Sequence, residues 1–448
     1  MQTVKKTFCM LFVLQLVLCF CFTAYASDIG DWETKWDSAT ANASVVSLSP
    51  GTDETQMRFC FLAPLGSKPA FRCGTCETLT NADACTVQTL PTITGQLRCS
   101  VTADGLRSGT TYYYSACING IWSETYSFHT SGETLTALFV TDSQIGRSGN
   151  WRKKDVLLHD TAGWDTTLSA ATAAFPDISL CLSAGDQTEI GFSEKQYRLF
   201  LAPETMRSMP TATTIGNHEF YFPYLYLHFA HPNRFSGSIV HSLGDEPYFF
   251  TQKNVLFIVL DSNNPIAWDH AAVLDRAVRA YPDKQWRVVM MHHSLYSCED
   301  SLQDGPSLRK KLSPLLQKYG VDLVLSGHAH KYSRSYPLWD DAVSASGITY
   351  LEGGCCSGCN CKASPEVLPA YSAAGYGKKN PVYSVLRFGE DCIGIQSFAV
   401  EDGASVRIDE GAVTSRTDSR ESAQMMPVVR VLQGALSVFG RVVSLWFR

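Results

Sequence analysis

Five apolar runs rich in β-forming residues each end in side chains that can hold a metal ion. Leu138-Phe139-Val140 leads into Thr141-Asp142-Ser143-Gln144, Ile178 to Leu182 into Gly185-Asp186-Gln187, and Thr211 to Ile215 into Gly216-Asn217-His218-Glu219. Val288-Val289-Met290 leads into Met291-His292-His293, and Val321 to Leu325 into Gly327-His328-Ala329-His330. Each run reads as a buried strand that hands its last residues to one edge of a sheet. In α/β proteins that edge binds ligands, because the strand-to-helix loops open there. The set contains two carboxylates, one carboxamide and three histidines, with Gln144 in addition. That is enough for two metal ions sharing one carboxylate, whereas a mononuclear zinc site needs only three or four ligands.

The 448 residues allow two or three domains and an ample core. Net charge is −6, and no Lys/Arg cluster tracks along a face, which excludes duplex nucleic acid as a partner held through its phosphates. Lys5-Lys6, the apolar stretch Phe8 to Phe22 and Ala24-Tyr25-Ala26 have the form of a secretory signal peptide spanning 1–26, so the mature protein is expected outside the cytoplasm, secreted or at the cell surface. Of 16 cysteines, three lie in that leader. In an oxidising compartment most of the other thirteen are expected to pair, with at least one left over. Adjacent Cys355 and Cys356 cannot easily both face one ion, so the cluster Cys355-Cys356-Ser357-Gly358-Cys359-Asn360-Cys361 is expected to be a disulfide-stapled loop rather than a second metal site.

Residues 28–131 read as an all-β domain, with strands such as Gln56 to Leu62, Gly95 to Val101 and Thr111 to Cys117 between turn signals. The stretch Gly105 to Tyr114 resembles fibronectin type III-like sandwiches, in which a Tyr near a strand start fastens the corner. Thr130 to Glu133 is the hinge. From 136 to 408, strands alternate with helical stretches at Ser193 to Met206, His270 to Arg279 and Pro306 to Lys318, and late strands are expected at Ile348 to Gly353, Tyr383 to Phe388 and Cys392 to Val400. Residues 411–427 read as a polar linker. Residues 428–448 place Val431, Leu432, Leu436, Phe439, Val442, Val443 and Trp446 on one face and three arginines on the other, an amphipathic helix that either docks on a membrane surface or packs on its own domain.

The ordered motifs resemble the calcineurin-like metallophosphoesterases, and within them the purple acid phosphatases, with the pattern D-x-G, G-D-x-x-Y, G-N-H-[DE], V-x-x-H, G-H-x-H. Val289-Met290-Met291-His292 fits the fourth element, and Gly327 to Arg334 fits the last with its aromatic and Arg extension. The resemblance implies a fold class of two parts, an N-terminal all-β sandwich and then an α/β four-layer sandwich, two sheets flanked by helices. It implies two divalent or mixed-valence metal ions, with Fe, Mn and Zn all open. Asp142, Asp186 and His330 would hold the first ion, and Asp186, Asn217, His292 and His328 the second. A bridging water acidified to hydroxide would attack phosphorus in line. His218 would act as general acid or donate to a phosphoryl oxygen, and Glu219 would orient a histidine. His293 either faces the substrate phosphate or turns away.

Two positions depart from the family pattern. Glu189 stands where the purple enzymes carry Tyr, so the tyrosinate colour is expected to be absent. Gln144 stands where non-purple relatives use a ligand His; it binds directly, binds through water, or only orients Asp142. The expected activity is hydrolysis of a phosphate monoester, with phosphodiesters or nucleotides as the alternative substrate and a non-catalytic surface-binding protein as the alternative class. Oligomeric state is open. No G-x-S-x-G elbow supports a serine hydrolase.

Overall fold

The computed structural model describes residues 29–41, 45–80, 82–299 and 305–414. The leader and the C-terminal amphipathic segment lie outside the described residues, as does most of the polar linker.

Two sheets form the central sandwich. The first has six strands in the order Thr211–Thr213, Leu180–Ser183, Leu135–Val140, Val382–Phe388, Cys392–Glu401 and Ala404–Thr414. The second has seven, in the order Tyr248–Gln252, Val255–Val259, Trp286–His293, Leu323–Gly327, Thr349–Gly353, Tyr332–Ser335 and Ser372–Gly375. Strand alternation divides the apolar side chains between two faces. Ala137, Phe139, Leu182, Phe257, Val288, Met290 and Leu325 meet in the space between the sheets. Leu138 and Val140 turn outward onto the long helix Lys154–Ala174, and Ile258, Val289 and Val324 turn outward onto helices Ala267–Ala280 and Gly305–Lys318. The result is the expected four layers, helix, sheet, sheet, helix.

All five apolar runs are strands, but they do not share one sheet edge. The Asp142, Asp186 and Asn217 strands lie parallel in the first sheet, and the His292 and His328 strands lie parallel in the second. The late strands also divide: Thr349–Gly353 joins the second sheet, while Val382–Phe388 and Cys392–Glu401 complete the first.

Other expectations are corrected. Ile29–Ala41, placed in the all-β region, is a helix whose Trp32 Nε1 donates to Asp165 (3.2 Å) on the catalytic side. The Ser193 to Met206 helix splits into Glu194–Leu201 and a 3-10 turn at Glu204–Arg207, because Pro203 has no N–H to continue the helical ladder and takes an extended ψ of 138°. The last strand runs to Thr414, into the expected linker.

Among the described residues, Cys355–Cys361 is the one disulfide and eleven cysteines are free. Register explains part of this. Cys60 pairs with Ser100 rather than Cys99, so the two thiols point to opposite faces.

The N-terminal β-rich region packs two sheets around Phe59, Phe61, Phe71, Tyr114 and Phe128. The Tyr112 hydroxyl accepts from the Arg107 N–H (2.9 Å), tying the strand start to the preceding turn. Arg98 reaches from this domain to the catalytic one, donating to the Tyr226 carbonyl (2.7 Å) and the Phe229 carbonyl (2.6 Å).

Candidate metal centre

The strand ends must turn sharply to bring their side chains together, and the backbone shows it. Asp142 (φ 52°), Gln144 (φ 39°), Asp186 (φ 52°), His328 (φ 75°) and His330 (φ 59°) all sit in the left-handed region. Each such residue costs about 1–3 kcal/mol unless its surroundings hold it. Neighbouring glycines make room. A Cβ on Gly216 would stand 1.9 Å from Asp186 Oδ1, and one on Gly327 would stand 2.3 Å from Asp142 Oδ2.

Four donor atoms from four loops meet on one side of Asp186. His292 Nε2 lies 3.3 Å from Asp186 Oδ2 and 3.1 Å from Asn217 Oδ1. His328 Nδ1 lies 3.0 Å from Asn217 Oδ1 and 3.3 Å from His292 Nε2. Ligands about 2.0–2.1 Å from a tetrahedral ion stand roughly 3.3 Å from one another, so the cluster has the span of a coordination shell. His292 Nδ1 donates to the Ala184 carbonyl (2.8 Å), which leaves Nε2 free to ligate. Burial opposes charge on both Asp186 and His292, yet their attraction outweighs it. His292 is pushed up to about 10 and Asp186 is held well below the usual carboxylate range. The site favours positive charge at this point, which a divalent cation would supply.

On the other side of Asp186 the signature is unpaired acceptors and donors. Asp142 Oδ2 accepts from the Thr141 hydroxyl (2.7 Å) and the His328 N–H (2.9 Å), while its Oδ1 is buried without a partner, 3.4 Å from His330 Nε2. Gln144 Oε1 and His330 Nδ1 are also buried and unpartnered. Orphaned buried polar atoms cost about 1–3 kcal/mol each. An ion taking Asp142 Oδ1 and the Gln144 carbonyl oxygen would remove two of these penalties, so the residues present fit a second metal.

Gln144 has a second task, since its Nε2 lies 2.9 Å from His218 Nε2. His218 Nδ1 is fixed on the Glu189 carbonyl (2.6 Å), and its Nε2 stands 3.7 Å from Asp186 Oδ2. Glu219 does not orient a histidine. Its carboxylate accepts from the backbone N–H groups of Asp186 (3.0 Å), Gly216 (2.9 Å) and Thr188 (3.3 Å), locking the two loops that carry Asp186 and Asn217. Burial, then the nearby Asp186 charge, pushes Glu219 up to about 7. Glu189 points to Arg147 (3.1 Å).

His293 is buried, donating to or accepting from Ser262 Oγ (2.9 Å) through Nδ1, with its ring centroid 4.5 Å from His328. It lines a cavity of about 350 Å³ together with Asn217, Phe220, Tyr221, Asn263 and Lys311. Ser262 and Asn263 carry a signal the motif reading passed over. They follow a sixth apolar run, Val255 to Leu260, which ends at the same edge. Tyr224 stacks on Tyr197, and Tyr226 lies between the guanidinium groups of Arg98 (4.2 Å) and Arg234 (4.3 Å).

Residues 135–332 match the calcineurin-like phosphoesterase family. Residues 43–130 match the purple acid phosphatase N-terminal domain, so the chain carries that match ahead of the phosphoesterase one. It is 30% identical over 172 residues to purple acid phosphatase 23 of Arabidopsis thaliana, covering 35% of each chain. It is 24% identical over 298 residues to purple acid phosphatase 22 of the same plant, covering 61% of this chain and 62% of that one. A 31% match over 140 residues to the phosphoenolpyruvate phosphatase of Allium cepa covers 29% of each. The matches thus span between 29% and 62% of the length of these curated relatives. The solved purple acid phosphatase from yellow lupin (Lupinus luteus) seeds superposes with a TM-score of 0.67 at 16% identity, over 83% of this chain and 74% of that one. The PhoD structure does so with 0.57 at 12%, over 90% and 99%. These two establish the fold.

Proposed function

We propose that the chain is an exported dinuclear metal-dependent phosphatase that hydrolyses phosphate monoesters. The observation that carries this is the pairing at Asp186. Three further donors converge with it on one side, and Asp142 with the unpartnered Gln144 oxygen and His330 stand on the other. Asp142, Asp186, His330 and Gln144 would hold one ion, and Asp186, Asn217, His292 and His328 the other. Bound there, such a pair supplies an acidified water and neutralises phosphoryl oxygens.

The protein's own groups do the rest. Glu219 holds the Asp186 and Gly216 amides, so the shared carboxylate cannot swing away. The Glu189 carbonyl accepts from His218 Nδ1 and fixes the ring; Nε2 accepts from Gln144 Nε2 when the ring is neutral and, once protonated, donates to a phosphoryl or leaving oxygen. Ser262 orients the His293 ring in the adjoining cavity wall, where it can hydrogen-bond a substrate oxygen. Export is supported by the leader sequence and fits the Cys355–Cys361 disulfide, which persists in oxidising compartments.

The test is metal content together with hydrolysis of para-nitrophenyl phosphate and bis-para-nitrophenyl phosphate, for wild type and Asp186→Ala. Two ions per chain, faster monoester turnover and loss of both in the variant are expected. No bound metal and no turnover after supply of manganese, iron and zinc would refute the enzyme; faster diester turnover would refute the monoesterase.

A further inference from the structure

The metal ligands position a phosphoryl group and leave the leaving group unspecified; the cavity beside them does not. It opens off Asn217 and His293 and extends between the loop after Gly216-Asn217-His218-Glu219 and the helix Gly305–Lys318. Its volume of about 350 Å³ falls in the range of small-molecule sites. Its lining is selective. One wall is the pair Phe220 and Tyr221, ring centroids 4.9 Å apart and edge to face. The wall is braced from behind, because the Phe220 carbonyl accepts from Ser242 Oγ (3.1 Å) and from the Leu243 N–H (3.0 Å). Tyr221 itself is 67% exposed, an aromatic face left open at the mouth.

The charge inventory is one-sided. Among the described residues, no carboxylate lines the cavity, and the one cation lining it is Lys311. Of the three consecutive basic residues on that helix, Arg309 is committed elsewhere, donating to the Leu295 carbonyl (2.8 Å) and stacking on the Tyr296 ring (4.2 Å). Lys311 Nζ donates only to the Pro265 carbonyl (3.2 Å), and among the described residues no carboxylate lies within ion-pair distance of it. In a chain of net charge −6, a cation with no carboxylate partner among the described residues, beside a cavity whose described lining carries no acid, favours anionic ligands over neutral ones.

Resting on the phosphatase reading above, we propose that this cavity is a leaving-group subsite for phosphate esters whose alcohol part carries a flat ring and a second negative charge. Tyr221 and Phe220 receive the ring, and Lys311 receives the second anion, with Asn263 and His293 offering hydrogen bonds between them. Lys311 and Tyr221 are specificity residues and take no part in the bond cleavage.

The probes are two non-hydrolysable phosphonates, benzylphosphonate and 4-carboxybenzylphosphonate, titrated calorimetrically into the metal-loaded protein; ring-free propylphosphonate is the reference. An exposed ion pair contributes up to about 1 kcal/mol, so wild type should bind the carboxylated probe about fivefold tighter than its parent. Lys311→Met should abolish that preference while leaving benzylphosphonate affinity unchanged. Tyr221→Ala should weaken both ring-bearing probes about fivefold and leave propylphosphonate unchanged. Equal wild-type affinity for the two benzyl probes, a preference that survives Lys311→Met, or binding of no phosphonate at all would each overturn the subsite. Since binding needs no turnover, discrimination among phosphonates without hydrolysis of any ester would refute the phosphatase reading alone.

Discussion

Replacing Asp245 by Asn should reveal how the loop bearing the cavity wall is held. The Asp245 side chain is 2% exposed; Oδ2 accepts from His231 Nδ1 (2.6 Å) and Oδ1 from Arg234 Nε (2.8 Å). Burial alone would raise its pKa, but the Arg234 charge and the His231 hydrogen bond outweigh burial and hold it at about 2, against 3.8 unperturbed. Burial keeps His231 below its ordinary value, so His231 is neutral at pH 7 and Arg234 is the charge partner. A lowered carboxylate pKa stabilises the fold above its unfolded value, near 4, and that contribution disappears as pH falls toward 2. Nearly two units correspond to about 2.5 kcal/mol at pH 7. Truncating a buried pair can cost 3–5 kcal/mol. Arg234, however, keeps Glu246 at 3.7 Å and is 23% exposed, so the smaller figure applies. In thermal unfolding with metal chelated, Asp245→Asn should melt about 3–5 °C below wild type at pH 7. The gap should close as pH drops from 5 to 2. A gap that stays constant from pH 7 to pH 3, or one under about 1 °C at neutrality, would show that the carboxylate charge is not what holds the loop.

Gly216→Ala would put a Cβ 1.9 Å from Asp186 Oδ1 and 2.4 Å from its backbone N, so both the carboxylate and its loop must shift; metal analysis should fall from two ions per chain to one or none. With Glu189 in the tyrosine place, iron-loaded protein should show no tyrosinate charge-transfer band in the visible spectrum; a purple solution would refute this. Arg98→Met leaves the Tyr226 and Phe229 carbonyls without their donor and should destabilise by about 2–3 kcal/mol in chemical denaturation, with metal stoichiometry unchanged.

The parts of the site that the sequence showed are those in which a strand and its ligand are contiguous. Val289-Met290-Met291-His292 displays both the β-run and the imidazole, and the structure puts His292 where that run ends. What stayed hidden has long-range causes. Whether two parallel strands share a sheet depends on hydrogen-bonding partners far away in sequence, so the division of the five runs between two sheets left no local trace. The helix Lys154–Ala174 escaped because its buried face mixes Asp160, Thr161 and Thr167 with Leu and Ala, which blurs the apolar period. Asp160 is buried there to accept from the Gly146 N–H (2.8 Å), a contact no spacing rule anticipates. Cys359 shows the same limit: it packs its sulfur against the Ser143 carbonyl (3.4 Å), under the Gln144 loop.

The division into two sheets is itself what makes a two-metal centre feasible. If all the ligands lay on one edge, parallel strands 4.7–4.9 Å apart would spread five ligand-bearing strands over about 20 Å. Facing sheets about 10 Å apart bring strand ends toward each other across the sandwich, and the left-handed turns at Asp142, Asp186, His328 and His330 close the remaining distance. Asn217 and Asp186 come from the first sheet, His292 and His328 from the second, and their donor atoms meet within 3.0–3.3 Å. The strained turns are held by contacts made within the protein, such as the Glu219 carboxylate on two ligand loops and the Thr141 hydroxyl on Asp142. A site assembled this way has its donors in place without an ion, so its geometry belongs to the fold and an ion would only complete the charge.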